Sequence, residues 1–149
     1  MWTRKWFEEA APELEYWSKH LEALPYVIAV TGPKPFWVVH AELWSYKCNV
    51  NEHNLATIVE DASDEELRIF QWSRMLERHK TIGRRTSLPG PIYCGHTPTP
   101  TPATHRLGHC NLDAGAGASG GLWRAWFGKP DPCLFLYCHT TGESFQENV

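Results

Sequence analysis

Tyr26-Val27-Ile28-Ala29-Val30-Thr31, then Gly32-Pro33-Lys34-Pro35, then Phe36-Trp37-Val38-Val39-His40 is the stretch on which the reading of this chain turns. The first and last pieces are strand-length runs rich in β-branched and aromatic residues, and the piece between them is turn chemistry. Continuous apolar runs, rather than alternating ones, predict a hairpin buried on both faces. Upstream, Leu14, Trp17, Leu21 and Leu24 recur at helical spacing, Pro12 suits a helical first turn, and Pro25 ends the helix. Glu8, Glu9, Glu13 and Glu15 fill the opposite surface.

Downstream, Ala41 to Ala62 has little periodicity and reads as loop. Ser63-Asp64-Glu65-Glu66 has the capping-box form, and Leu67, Phe70, Arg74 and Met75-Leu76 carry a helix on to about His79. Thr81 to Gly90 reads as a basic, flexible connection. The last third is β-rich, with strands expected at Ile92–Cys94, within Arg106–Asp113, and at Leu122–Phe127 and Cys133–Cys138. Thr99-Pro100-Thr101-Pro102 reads as an ordered extended loop. Gly142 to Val149 is expected to fray. A helix, a hairpin, a helix and then strands define an α/β chain.

The 149 residues make one domain or a piece of one. Hydrophobic residues at 42% and charged residues at 21% exclude a disordered tail. No apolar run approaches the ~18 residues of a membrane span, and the acidic start lacks the form of a secretory signal. A cytoplasmic protein is expected. A net charge of −3 gives no electrostatic footprint for nucleic acid, so neither nucleic acid nor membrane is expected as a partner. The eight tryptophans read as core packing before base stacking. Five cysteines cannot all pair within the chain, and reduced thiols are expected.

Two histidines stand apart. His40 closes an apolar strand, and His96 follows another strand between Gly95 and Thr97. A ring at the C-terminal end of a buried strand projects into the crevice where sheet enzymes hold ligands, and neutral imidazole is a common metal ligand. Gly95 would allow close backbone approach. On spacing alone, two hydrogen-bonded, half-buried histidines account for the pattern better.

Resemblance reverses that balance. Trp37-Val38-Val39-His40-Ala41-Glu42, Trp72-Ser73-Arg74, Ile92-Tyr93-Cys94-Gly95-His96-Thr97-Pro98, Asn111-Leu112-Asp113-Ala114-Gly115-Ala116 and Gly120-Gly121-Leu122 occur in this order. Together, over about 16–127, they resemble the C-terminal half of the calcineurin-like metallophosphoesterases, of the bacterial and bacteriophage serine/threonine protein phosphatase type. In that family a V-V-H-A-(G/E/D) strand end, a W-x-R segment, G-H-T-P, I-D-T-G-A and G-G-x-L follow one another. Ala114 departs from the family's threonine.

The resemblance implies a hydrolase that cleaves phosphate monoesters with a metal-bound water. His40 and His96 would be metal ligands, Arg74 would bind the substrate phosphate, and Asp113 would orient a ligand histidine from behind. The metal would be manganese first, with iron or zinc as alternatives. The implied partner is a phosphorylated protein or a small phosphate ester. The implied fold is the two-sheet αββα sandwich.

The family's earlier motifs, D-x-H, G-D-x-x-D-R-G and G-N-H-(D/E), do not occur in the sequence. Asn51-Glu52-His53 uses similar letters in the wrong order. The chain therefore reads as a partial sandwich with the N-terminal half absent, one incomplete domain over 1–149. It is expected to bind metal weakly, to be inactive alone, and to self-associate or dock on a missing half.

Two other readings compete. One is a non-catalytic, partner-binding remnant of a phosphatase. The other is a small structural zinc domain drawing on Cys94, His96, His109, Cys110, Cys133, Cys138 and His139, whose spacing is loose for zinc. His20, His53, His79 and His105 are expected to be solvated.

Overall fold

A computed structural model describes residues 4–74, 86–99, 104–106, 108–115 and 133–148, with side chains over 11–74, 86–99, 108–115 and 135–147. The elements run α1 (Arg4–Glu22), β1 (Val27–Val30), β2 (Phe36–Val39), α2 (Leu55–Glu60), α3 (Asp64–Trp72), β3 (Ile92–Cys94), β4 (Thr104–Arg106), β5 (His109–Asn111), β6 (Cys133–Tyr137) and β7 (Ser144–Asn148). A mixed five-stranded sheet has the order β1-β2-β3-β5-β4, and β6-β7 form a separate antiparallel pair.

The central strands β2, β3 and β5 are parallel, in the register Trp37↔Ile92↔His109 and Val38↔Tyr93↔Cys110. β1 pairs antiparallel with β2, as a tight turn demands, and β4 pairs antiparallel with β5. Paired residues share a face. Trp37, Val39, Ile92 and Cys94 therefore point to one side, where Leu43, Trp44, Val50, Leu55, Ile69 and Phe70 from the following loop and helices complete the core. Ile28, Val38, Tyr93 and Cys110 point to the other.

Several expectations change. The hairpin is present but is not buried on both faces: β1 is the sheet's edge, and Ile28, Ala29 and Val30 are exposed. The helix begins at Arg4, so Pro12 lies inside it rather than in its first turn, where it removes one ladder hydrogen bond. Ala41–Ala62 is not mere loop. Ala41 to Ser45 are buried, and Leu55–Glu60 is helical with Leu55 in the core; six residues are too few to show a helical period.

The capping box at Ser63 is formed, with Ser63 accepting from the Glu66 N–H and Glu66 reaching back to the Ser63 N–H. The helix stops at Trp72 rather than near His79, because Ser73 is extended (ψ 141°). Its side chain is drawn to Glu42 instead of continuing the ladder.

The strand expected within Arg106–Asp113 is two strands, β4 and β5, with Gly108 at a positive φ of 85° between them. The C-terminus does not fray at Gly142: Ser144–Asn148 pairs with Cys133–Tyr137. The strand expected at Leu122–Phe127, the segment 75–85 and the glycines Gly117, Gly120 and Gly121 lie outside the described residues, as do Pro100–Pro102 of the extended loop.

One imidazole fastens the β6–β7 hairpin to the sheet. His139 Nε2 donates to the Lys34 carbonyl (3.1 Å), and its Nδ1 accepts from the Tyr93 hydroxyl (2.7 Å). Burial pushes the Tyr93 phenol up to about 12, so it stays a donor. Phe36 lies against the same ring, with centroids 4.6 Å apart. The Lys34 ammonium donates to the Thr140 carbonyl alongside (2.9 Å). Gly90 marks a second tight place: a Cβ there would stand 1.9 Å from the Pro35 carbonyl oxygen. No helix among the described residues is long and apolar enough to cross a membrane.

Candidate functional site

Three adjacent parallel strands end at one edge of the sheet, and the chain leaves each through a residue singled out by sequence. His40 follows β2, His96 lies two residues past β3, and Asp113 lies two past β5. In open α/β sheets this edge is where ligands bind, because the backbone diverges there into loops.

These loops are laced together. The Gly95 N–H donates to the His40 carbonyl (2.9 Å), and the Leu112 N–H to the Cys94 carbonyl (2.8 Å). The Thr99 N–H donates to the Asp113 carbonyl (2.9 Å), and Asn111 Nδ2 to the Thr97 carbonyl (2.8 Å). The Ala41 N–H donates to the Phe70 carbonyl, which draws the end of α3 to the same place.

The two imidazoles meet. His40 Nε2 stands 3.1 Å from His96 Nδ1, with ring centroids 4.9 Å apart. At that distance one nitrogen donates to the other, so only one proton can lie between them. The exposed Trp72 ring meets His96 edge to face (5.3 Å, 89°). Arg74 Nη1 lies 3.4 Å from Thr97 Oγ1, one residue beyond His96. His40, His96 and Arg74 therefore converge.

His96 is held in the left-handed region, at φ 65°. That is uncommon for a residue with a Cβ and costs of order 1–3 kcal/mol. The neighbouring glycine has no such need: a Cβ on Gly95 would make ordinary contacts at 3.6 Å from Asp113 and 3.8 Å from the His40 carbonyl oxygen. The conformational demand falls on the histidine itself. The Nε2 of His96 is buried and finds no hydrogen-bond partner among the described residues. Burial, then the positive charges of Arg74 and His40, hold its pKa below the ordinary value; the Asp113 carboxylate and the Trp72 backbone pull the other way without reversing the shift.

Asp113 acts on His96 through its charge. Its Oδ1 accepts from the Gly115 N–H (2.8 Å), closing the turn at Gly115 (φ 75°).

Glu42 sits beside this edge, and His109 opens β5 at the strand's other end. Glu42 is buried, and its Oε2 accepts from Trp44 Nε1 (2.9 Å) and from the Ser73 hydroxyl. His109 is buried, and its Nε2 accepts from the Leu43 N–H (2.9 Å), which fixes that ring as neutral. Glu42 lies within the quoted run, two residues past His40, but only the fold reveals its partner, thirty-one positions away.

The cysteine and histidine set considered for zinc does not assemble among the described residues. Cys94 and Cys110 project from opposite faces of the sheet, and His139 is engaged with Tyr93 and Lys34. Burial pushes the Cys110 thiol up to about 11, which opposes the thiolate a metal needs. Among the described residues Cys48, Cys94, Cys110 and Cys138 form no disulfide, and Cys94 and Cys110 are buried. His20 and His53 are exposed, as expected. Among the described residues no group of three or more His, Cys, Asp or Glu side chains is placed to hold a metal.

Comparison with protein-family models, with curated proteins and with solved structures gives no match.

Proposed function

We propose that this chain carries the paired histidines and the phosphate-binding arginine of a metal-dependent phosphoesterase of the serine/threonine protein phosphatase type. The observation that carries the reading is the convergence of His40, His96 and Arg74, drawn from three segments, at one edge of a parallel sheet. The sandwich fold of that family is part of the proposal; α/β is what the elements themselves establish.

A metal ion was tested against the donors. With bonds of about 2.0–2.1 Å, two ligand nitrogens in tetrahedral geometry stand about 3.3 Å apart. The facing nitrogens of His40 and His96 are 3.1 Å apart. Once the proton between them is lost, the pair would hold one divalent ion through these two nitrogens, with manganese the first candidate and iron or zinc next. When bound, such an ion lowers the pKa of a water and withdraws charge from a phosphoryl oxygen.

The chain's own residues do the rest. Arg74 presents a planar guanidinium that can clasp two phosphate oxygens, with Thr97 beside it as a further donor. The depressed proton affinity of His96 keeps its ring neutral, the state a ligand needs. Trp72 shields one side of that ring from water. With two imidazoles and no carboxylate joining them among the described residues, the hold on a metal is weak, and hydrolysis waits on carboxylate ligands from outside this set. The substrate class is a phosphorylated protein or a small phosphate ester.

A second reading is a partner-binding remnant without catalysis. Calorimetric titration with Mn2+, followed by inorganic phosphate, separates the two. The phosphoesterase reading expects weak metal binding that His40→Ala or His96→Ala abolishes, and phosphate binding that Arg74→Ala abolishes. Absence of both in the unaltered chain refutes it and leaves the remnant.

A further inference from the structure

A sheet that is apolar on both faces needs two covers. The helical layer and the loop after β2 cover the face of Trp37, Val39 and Ile92. The opposite face is covered at Phe36 and Tyr93 by the β6–β7 hairpin, through His139. Toward β1 it is open.

Tyr26, Ile28 and Val30 alternate onto that open face, and Leu21 and Leu24 from the end of α1 border the same opening. A cavity of about 800 Å³ lies between them and reaches His40. The helix stripe continues the apolar surface through Trp17 and Leu14. Leu14, Trp17, Leu21, Leu24 and Ile28 are 42–64% exposed. Helices of this kind draw most of their stability from burying such a stripe, and α1 does not bury its own. β1 is also an edge strand with none of the charges, prolines or bulges that normally blunt an edge.

We infer that a second copy of this chain covers this face, in a two-fold contact built from the α1 stripe and the β1 edge. Seven side chains, 36–64% exposed and offering on average on the order of 100 Å² each, give roughly 700 Å² per copy. A standard stable interface takes about 800 Å² per partner. The surface is therefore close to what a dimer needs, and it includes the aromatic side chains that anchor interfaces. An edge strand pairs antiparallel with its own copy about a two-fold axis, so one patch serves both partners and the assembly closes at two. The Glu15–Lys19 pair on α1 (2.8 Å) neutralises part of the helix's charge beside the seam.

The inference does not rest on the phosphoesterase reading, because the residues it uses do not include His40, His96 or Arg74. Sedimentation velocity on the full chain from low to high micromolar concentration tests it. The expected result is a monomer–dimer equilibrium that closes at two. Leu21→Lys and, separately, Trp17→Lys should each weaken it by roughly tenfold or more. Both positions are exposed, so the helical content of each variant should be retained. Glu60→Lys, at an exposed position of α2, should leave the equilibrium unchanged. A chain that stays monomeric across the range, that polymerises without limit, or whose dimer is indifferent to both lysines overturns the inference.

Discussion

Glu42 accepts a hydrogen bond from the Ser73 hydroxyl, and so ties the segment that carries His40 to the helix end that carries Arg74. The carboxylate is buried and also holds the Trp44 indole N–H. Ser73→Ala removes one donor from a buried charge and should lower stability by about 1–3 kcal/mol. Because Arg74 is the next residue, phosphate binding should weaken more than Mn2+ binding does. Equilibrium urea unfolding and paired titrations measure the two effects.

The backbone at His96 gives a prediction of opposite sign. His96→Gly removes the αL penalty of about 1–2 kcal/mol and leaves no buried ring nitrogen without a partner. Glycine's larger unfolded-state entropy offsets roughly 0.5–1 kcal/mol of this. Stability should hold or rise while metal binding is lost, and a thermal melt beside a titration checks it. A large fall in melting temperature would show that the ring serves packing.

Stability should depend on pH through the same residue. The folded-state pKa of His96 lies below its ordinary value of 6.5, so the unfolded chain binds more protons over the interval between the two. Folding is therefore penalised as pH falls through 6.5 toward the folded value, and the contribution is fully present above it. Chemical denaturation from pH 5 to 8 should show stability rising with pH, and His96→Asn should flatten the slope relative to the unaltered chain.

Gly90→Ala places a methyl 1.9 Å from the Pro35 carbonyl oxygen, a contact with backbone that cannot swing aside. The connection between the turn before β2 and the segment entering β3 must shift, at about 1–3 kcal/mol. Urea unfolding should register the loss, with the slope unchanged.

Ser63→Ala removes the side-chain acceptor of the α3 capping box and should cost about 1 kcal/mol. Glu66→Gln keeps an oxygen for the Ser63 N–H but loses the charge held below the usual carboxylate range by Lys47 and by that N–H. Its effect should therefore depend on pH, and that of Ser63→Ala should do so less, because the Ser63 hydroxyl is the smaller contributor to the Glu66 shift.

Local signals carried much of this structure. The hairpin turn, the capping box and the Ile92–Cys94 strand are legible because each depends on neighbours within a few residues. The convergence of His40 and His96 was legible only as the ends of two apolar runs, since nothing local states that β2 and β3 are parallel neighbours. The hydrogen bonds of Glu42 with Ser73 and of His109 with Leu43 were not legible, because the partners lie thirty-one and sixty-six positions apart. The Leu14–Leu24 stripe is legible as one apolar face, but its exposure is not. Periodicity reports that a face is apolar and says nothing of what lies against it.

The His139 clasp sets an order of events when the molecule opens. Lys34 and Tyr93 share one ring as the anchor of the C-terminal ribbon, so a single side-chain rotation frees both. Amides of Phe135 and Tyr137 should exchange with deuterium ahead of those of Trp37 and Ile92, and His139→Ala should widen that gap by hastening the first pair alone. On that outcome the ribbon lifts as a flap while the parallel strands stay shut.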